Sequence, residues 1–300
     1  FWQDIQQLSG GHYLEFNDDE LKITKWYHFE RAINLNIELS KDEIKRKYIE
    51  LLEDSIKLRF RSDVPVGINL SGGIDSSTLL TFVNKGVSKE RIEAFTFYTN
   101  NDYYDELPWV KSMVNHTKNW LNEILLTPES IQNLAGEISD FQDEPYGGIP
   151  TIAYSQIFKK AREKGTIVLL DGQGMDEQWA GYDYYAKSDN ANIQGVNKSP
   201  FRKNVLSEDL LALAVKPEYS KPFDDHVLNL QYRDLFYTKI PRALRFNDRI
   251  SMAYSTELRE PFLDYRLVEF AFSLPLEYKI KENVHKYLLR EIVSDILPNE

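Results

Sequence analysis

The chain has 300 residues, of which 42% are hydrophobic and 13% aromatic, enough to bury one large core or two smaller ones. Its 47 acidic residues against 36 basic ones give a formal charge of -11, a field that repels polyanions and excludes nucleic acid as an expected partner. Without cysteine there is no disulfide, thiolate metal site or cysteine nucleophile, and no apolar run approaches the roughly 20 residues that span a bilayer. No membrane role is expected, and the expected setting is the reducing cytoplasm.

In chain order, residues 1–30 carry short strand signals, with a Gly10-Gly11 turn and alternation through His12-Tyr13-Leu14-Glu15-Phe16, then Leu21-Lys22-Ile23. Residues 1–35 read as the tail of a preceding β domain, and 36–300 as a second domain truncated at its C-terminus. The chain opens at Phe1 without methionine and closes just past Leu297-Pro298, so both ends read as cut, and the lack of a signal peptide carries no information. A helix is predicted from Ser40, where Ser40-Lys41-Asp42-Glu43 forms a capping box worth about 1 kcal/mol. Ile44, Tyr48, Leu51, Leu52 and Leu58 give it an apolar face, and it stops before Asp63 and Pro65.

Strand and helix signals then alternate: a strand at 66–70, a helix after Asp75, a strand at 92–98, a helix over 109–115, and a strand at 124–126. A helix over 154–164 follows, then the unbroken apolar strand at 166–170, as suits a parallel strand covered on both faces. The fold class expected is α/β, a parallel sheet with helices on both faces, followed by a helical second half. In that half the sequence predicts apolar-faced helices over 205–215, 224–237 and 267–272, and an exposed loop over 187–199.

Two glycine-rich turns carry the chemistry. The first, Ser71-Gly72-Gly73-Ile74-Asp75-Ser76-Ser77, lies between a buried strand and an apolar helix. Glycines let backbone N–H groups approach a pyrophosphate, the hydroxyls of Ser71, Ser76 and Ser77 can add donors, and a helix N-terminus favours negative charge. The missing Gly-Lys-Ser/Thr ending points away from cleavage at the γ-phosphate and towards cleavage between the α and β phosphates. The second turn, Asp171-Gly172-Gln173-Gly174-Met175-Asp176-Glu177, again follows a buried strand and is predicted to precede a helix holding Trp179, Ala180, Gly181 and Tyr182. Two such loops at one sheet edge face each other. An aspartate after a strand is often only a helix cap, but the matching positions of Asp75 and Asp176 favour a shared Mg2+, which takes one or two protein carboxylates and completes its shell with phosphate and water. Glu177 is expected to be structural.

Four segments carry a family resemblance. Ser71 to Ser77 resembles the loop of the ATP pyrophosphatase (PP-loop) superfamily. It is followed by Asp171-Gly172-Gln173-Gly174 through Gly181-Tyr182, by Asp248-Arg249-Ile250-Ser251-Met252-Ala253 with Glu257-Leu258-Arg259-Glu260-Pro261-Phe262-Leu263-Asp264, and by Lys286-Tyr287-Leu288-Leu289-Arg290. Together, and in this order, they look like the signatures of the glutamine-hydrolysing asparagine synthetase family. The opening Leu8-Ser9-Gly10-Gly11-His12-Tyr13-Leu14 is similar to the end of that family's glutaminase domain.

The resemblance implies an adenine nucleotide alpha hydrolase-like fold and an ATP- and Mg2+-dependent carbon–nitrogen ligase. An acceptor carboxylate, aspartate by default, becomes an acyl adenylate, and ammonia from glutamine reaches it from an upstream glutaminase domain. It implies that Leu70 and Phe97 line the adenosine pocket, that Asp171 and Gly172 lie near the nucleotide, and that Lys286 meets the α-phosphate, where an ammonium stabilises growing charge. A homodimer is the implied assembly. At Gln173 the family usually carries glutamate; glutamine can hydrogen-bond but cannot act as a carboxylate base. Asn115 to Trp120 departs from the family's usual turn as well. Other acceptors therefore stay open, a sugar acid or a β-amino acid closed to a lactam among them, as does an ATP-binding module without turnover. Arg259 and Asp264 are expected to pair and orient a helix, a reading favoured over Arg259 reaching substrate, and Tyr182, Tyr184 and Tyr185 to pack rather than stack on ligand.

Overall fold

A computed structural model describes residues 3–86, 91–101, 103, 105–186, 207–213, 215 and 217–298. The chain begins with a hairpin of β1 (His12–Asn17) and β2 (Glu20–Lys25). Asp18 and Asp19 join the strands at φ +46° and +65°, the twist that two-residue hairpins prefer. Gly10-Gly11 leads into β1 and does not join strands. The predicted alternation exists in register, with Leu14 opposite Ile23 and Phe16 opposite Leu21, yet all four are exposed, so the hairpin has no buried face.

After the short α1 (Phe29–Ala32), α2 (Lys41–Arg59) starts at the expected capping box: Glu43 N–H donates to Ser40 Oγ at 3.4 Å, and Ser40 N–H to Glu43 Oε2 at 2.9 Å. Its buried face is Ile44, Tyr48, Leu52, Ser55 and Ile56. Leu58 is exposed, because two residues beyond Ile56 is the far side of a 3.6-residue helix.

The α/β part then runs β3 (Val66–Asn69), α3 (Ile74–Gly86), β4 (Glu93–Tyr98), α4 (Leu107–Thr117), β5 (Trp120–Leu125), α5 (Pro128–Gln142), α6 (Ile149–Glu163), β6 (Val168–Leu170) and α7 (Met175–Gln178). Beyond it lie α8 (Glu208–Ala212), α9 (His226–Arg233), a π-helical turn at Asp234–Thr238, α10 (Ile240–Ala253) and β7 (Glu257–Arg259). The chain ends with α11 (Tyr265–Ser273), α12 (Leu276–Lys279), the small hairpin β8 (Ile280–Lys281) and β9 (Val284–His285), and α13 (Tyr287–Val293).

β3 to β7 form one all-parallel sheet in the order β5-β4-β3-β6-β7, as the alternation predicts. Ile68, Leu70, Ala94 and Leu170 point to the core shared with α2 and α3, while Phe95 and Leu169 point to a second core with Ile152, Ile157 and Ile250. Strand β7 and helix α5 are additions to the sequence reading. β7 is three residues at the sheet edge, and α5 buries only Ile138 and Gln142, too little for a clear stripe.

Several expectations give way here. The helix expected from 205 to 215 is helical only at Glu208–Ala212, where nothing is buried and Leu210 and Leu213 are exposed; residues 205, 206 and 214 lie outside the described residues. The loop expected over 187–199 also lies outside them. The helix expected through Tyr182 is the four-residue α7, ended by Ala180 at φ +49°. Among the described residues no helix is long and apolar enough to cross a membrane.

Strand connection reverses direction at β3: β4 and β5 lie on one side, β6 and β7 on the other. In open parallel sheets the crevice outside the carboxyl ends of the strands at such a reversal is where ligands bind. The first glycine loop leaves β3 and the second leaves β6, so both open on that crevice.

Candidate active site

The two loops touch. A Cβ built on Gly172 would lie 3.3 Å from Ser76 N and 3.4 Å from Asp75 Cβ, so a side chain there would press directly on the first loop. The first loop is tied within itself: Ser71 N–H donates to Ser76 Oγ at 3.1 Å, Gly73 N–H to Ser71 Oγ at 3.3 Å, and Ser76 Oγ–H to Gly73 O at 3.3 Å. Ser71 and Ser76 thus shape the loop with the hydroxyls that the sequence reading offered as phosphate donors. Gly72 sits at φ +82°, where Trp109 and Val110 leave no room for a Cβ.

The second loop is held from outside. Gln231 Nε2 donates to Glu177 O at 2.6 Å and to Gln178 O at 3.0 Å. Gln178 Nε2 donates to Phe262 O, Tyr48 Oη to Met175 Sδ at 3.4 Å, and the His285 ring meets Ala180 O at 2.7 Å. Gly174 is at φ +98°, and a Cβ there would run into Leu263. These anchors come from α2, α9, β9 and the segment after β7.

Lys286 joins the loops. It follows β9 at φ +55°, a left-handed conformation that costs of order 1–3 kcal/mol for a residue other than glycine. Its Nζ lies 2.7 and 2.8 Å from the two Asp75 oxygens and 2.6 Å from Asp176 Oδ1. Burial lifts the Asp75 carboxyl above the ordinary range, against the pull of Lys286 and with the repulsion of Asp176. Burial works to lower the Lys286 ammonium, but the two carboxylates outweigh it and hold it above its ordinary value. Gly181 leaves the room for this contact, since a Cβ there would collide with Asp176 Oδ1 and Lys286 Cε.

The ammonium shows that one cation can meet both carboxylates. Among the described residues no group of three or more His, Cys, Asp and Glu is placed to hold a metal ion, and Asp75 and Asp176 are the carboxylates that meet at Lys286. That fits Mg2+ completed by phosphate oxygens and water, and not an all-protein cage.

Beneath the second loop lies a buried polar cluster. Asp171, 4% exposed, accepts from Gly172 N–H at 2.7 Å and from Asn69 Nδ2 at 3.3 Å, and burial raises its carboxyl. Glu260, just past β7, has both carboxylate oxygens buried without a side-chain or backbone partner of good geometry. Burial, with the charge of Asp171, drives its pKa well above the usual range. Burial likewise pushes the Tyr154 hydroxyl far up, and Asp171, Glu260, Gln173 and Asn69 all act on it. Glu177 is 2% exposed and accepts from Tyr182 Oη at 2.9 Å; burial first and the Asp176 charge second push it up to about 8.

Set against the sequence reading, Asp75, Asp176 and Lys286 converge, and Ser71, Gly72, Gly73, Ser76, Ser77, Asp171 and Gly172 lie in the two facing loops. Gln173 lines a cavity beside the second loop. The structure does not bring the side chains of Leu70 and Phe97 into one pocket: Leu70 is fully buried on the α3 side of the sheet and Phe97 packs on the other. The expected Arg259–Asp264 pair is replaced by other partners. Arg259 donates to the carbonyls of Arg59 and Arg61 at 2.7 Å, while Asp264 pairs with Arg59 and Arg266 at 2.9 Å and caps α11. The three tyrosines do pack on one another; Tyr184 and Tyr185 also donate to Asp234. Gly181, Glu260, Gln231 and His285 are the additions that structure makes.

The five-stranded parallel sheet flanked by helices is consistent with an adenine nucleotide alpha hydrolase-like fold. The family model described as Asparagine synthase matches residues 47–300, and this chain belongs to that family. Asparagine synthetase (glutamine-hydrolyzing) 3 of Bacillus subtilis is 26% identical over 330 residues, covering 100% of this chain and 53% of that protein. Putative asparagine synthetase (glutamine-hydrolyzing) 2 of Methanocaldococcus jannaschii is 32% identical over 184 residues, 60% of this chain and 35% of that protein. The chain spans about half the length of the curated relatives it matches, or less. Among solved structures, the NH3-dependent NAD synthetase from Campylobacter jejuni is 17% identical with TM-score 0.32, over 48% of this chain and 61% of that one.

Proposed function

We propose that this chain is the ATP-using part of an amide-forming ligase. The acceptor carboxylate attacks the α-phosphate of ATP, pyrophosphate leaves, and ammonia attacks the resulting acyl adenylate. The observation that carries the reading is Lys286 held between Asp75 and Asp176 where two glycine loops meet at the sheet's reversal point. The backbone N–H of Gly72 and the N-terminus of α3 receive phosphate oxygens. Lys286, fixed by its strained backbone and two carboxylates, passes its ammonium to the reacting phosphate, where charge grows in the transition state. Asp75 and Asp176 would hold Mg2+, which supplies charge neutralisation for the departing pyrophosphate. Leu70, its side chain in the core, offers only its backbone to the adenosine.

By likeness to relatives named asparagine synthetase, the acceptor is aspartate, and the ammonia comes from glutamine through a glutaminase domain of which residues 1–35 are the tail. A second reading, amidation or lactam formation on another carboxylate, is favoured by one neighbour: the Gln173 backbone lies near Glu260 and counters the rise of its pKa, so a carboxyl group stands beside the position where the family usually carries its own. Pyrophosphate release from ATP with Mg2+ and ammonium, measured across a panel of carboxylates, tests both. Aspartate-dependent release with asparagine formed supports the first reading and release only with another acceptor the second. ATP binding without any release contradicts both and leaves a binding module.

A further inference from the structure

One buried charge takes no part in the junction of the two loops. Lys279, the last residue of α12, is 0% exposed, and its Nζ meets neutral groups: Gln231 Oε1 and Phe272 O, each at 3.3 Å, and the Phe272 ring, 5.2 Å from its centroid. Among the described residues no carboxylate stands at ion-pair distance from it. Burial pulls the ammonium down to about 7, and the charge of Asp225, the cap of α9, opposes this. An ion without a partner in an apolar interior costs folding free energy, and an uncharged side chain of similar length, such as methionine, would fill the space without that cost. What Lys279 adds is a donor with a direction.

The direction matters because of Gln231. That side chain is 0% exposed on α9, and its two ends differ: the oxygen only accepts and the NH2 only donates. The second loop presents two carbonyls to it, those of Glu177 and Gln178, at 2.6 and 3.0 Å, so the NH2 faces the loop and the oxygen faces away. On that far side Lys279 supplies the donor that the oxygen needs. Without it the oxygen is a buried acceptor left unpaired, and the side chain gains by leaving the position in which it clamps the loop.

The same lysine bears on Lys286. The hairpin of β8 and β9 runs between the two lysines. Its far end touches the second loop where the His285 ring meets Ala180 O at 2.7 Å, and its near end reaches that loop through Lys279 and Gln231. The hairpin that delivers Lys286 is thus pinned at both ends to the loop that delivers Asp176.

We infer that Lys279 is a positioning residue, which acts through Gln231 to hold the second loop, and with it Asp176, against the hairpin that carries Lys286. Its effect on turnover rests on the proposed ligase reading; the pinning of loop to hairpin does not.

The test compares Lys279→Met, Lys279→Arg, Gln231→Leu and the double variant Lys279→Met/Gln231→Leu in the whole chain. In Lys279→Met, pyrophosphate release at saturating substrates is expected to fall about tenfold or more, as it does when reacting groups are misplaced, with the ATP KM held within about twofold. Its melting temperature should stay or rise, because a buried charge has gone, whereas a lysine that only filled the core would lose stability and turnover together. The double variant should turn over no more slowly than Gln231→Leu, since both changes act through one contact, and Lys279→Arg, which keeps a donor, should recover part of the loss. Additive losses in the double variant, full turnover in Lys279→Met, or failure of that variant to fold overturns the assignment. Hydrogen exchange of the backbone amides at 176–181, read by mass spectrometry, needs no turnover and should quicken in Lys279→Met and Gln231→Leu alike. Quickened exchange in a protein that releases no pyrophosphate with any carboxylate leaves the pinning standing and the ligase reading fallen. Unchanged exchange in Lys279→Met removes the lysine from the support of the loop, whatever the activity.

Discussion

The two glycine loops look alike in sequence and are built differently. The first closes on itself, with Ser71, Gly73 and Ser76 bonding within six residues. The second has internal bonds too, such as Gly172 N–H to Asp171 Oδ1 at 2.7 Å and Gly181 N–H to Asp176 O at 2.9 Å, but it is also anchored by Tyr48, Gln231, Phe262 and His285, 50 to more than 100 residues away along the chain. Local turn chemistry therefore specifies where phosphate can bind, while tertiary anchors decide whether Asp176 meets Asp75 and Lys286. The comparison predicts that damage to the first loop stays local and that damage around the second is felt at the site.

The sharpest break is at the junction. Lys286→Ala removes the cation between the loops and leaves two like charges facing; turnover should fall by about 10²–10³, the usual effect of losing one group that stabilises transition-state charge. Steady-state release of pyrophosphate checks it. Next comes Gly181→Ala, where the added Cβ collides with Asp176 and Lys286. Turnover is expected to drop at least tenfold, with secondary structure by circular dichroism kept. An alanine tolerated there would show that the second loop can move.

How much of this the sequence carries follows the same division. The capping box at Ser40, the apolar strand that ends at Leu170 and the first loop are written in neighbouring residues, so they are legible. Asp75, Asp176 and Lys286 are legible through their motifs, although nothing local says that they converge. β7 escapes because three residues become a strand only by pairing with β6, and α7 stops short because Ala180 turns to meet His285. Glu260 stands in plain view between Arg259 and the buried pair Pro261-Phe262, a carboxylate directly ahead of core residues, and that was the available signal. Gln231 and the partners of Arg259 are set by packing between distant helices, which no local pattern encodes.

Gln231→Leu separates anchoring from chemistry. It strands the buried carbonyls of Glu177 and Gln178, each costing about 1–3 kcal/mol, and denaturant unfolding should show the loss together with reduced turnover. Glu177 sets a pH dependence. The folded protein keeps its proton up to about 8, whereas an unfolded chain releases it near the ordinary value of 4.5. Its contribution to stability is therefore complete below that lower value and lost as pH rises through about 8. Thermal unfolding across this window should slope downward in the wild type and flatten in Glu177→Gln; equal slopes would show that burial of this carboxyl is not felt. The smallest effect belongs to the first loop. Ser76→Ala loses its internal bonds for about 1 kcal/mol, a melting shift of roughly 2–4 °C.

The most direct test of the ligase reading is exchange of labelled pyrophosphate into ATP, with Mg2+ and acceptor present and ammonia absent. Acceptor-dependent exchange, lost in Lys286→Ala, is the predicted result, because adenylation must run and reverse before any amine is needed. No exchange with an acceptor that supports turnover once ammonia is added, or ADP as the nucleotide product, would contradict an acyl adenylate formed at this site.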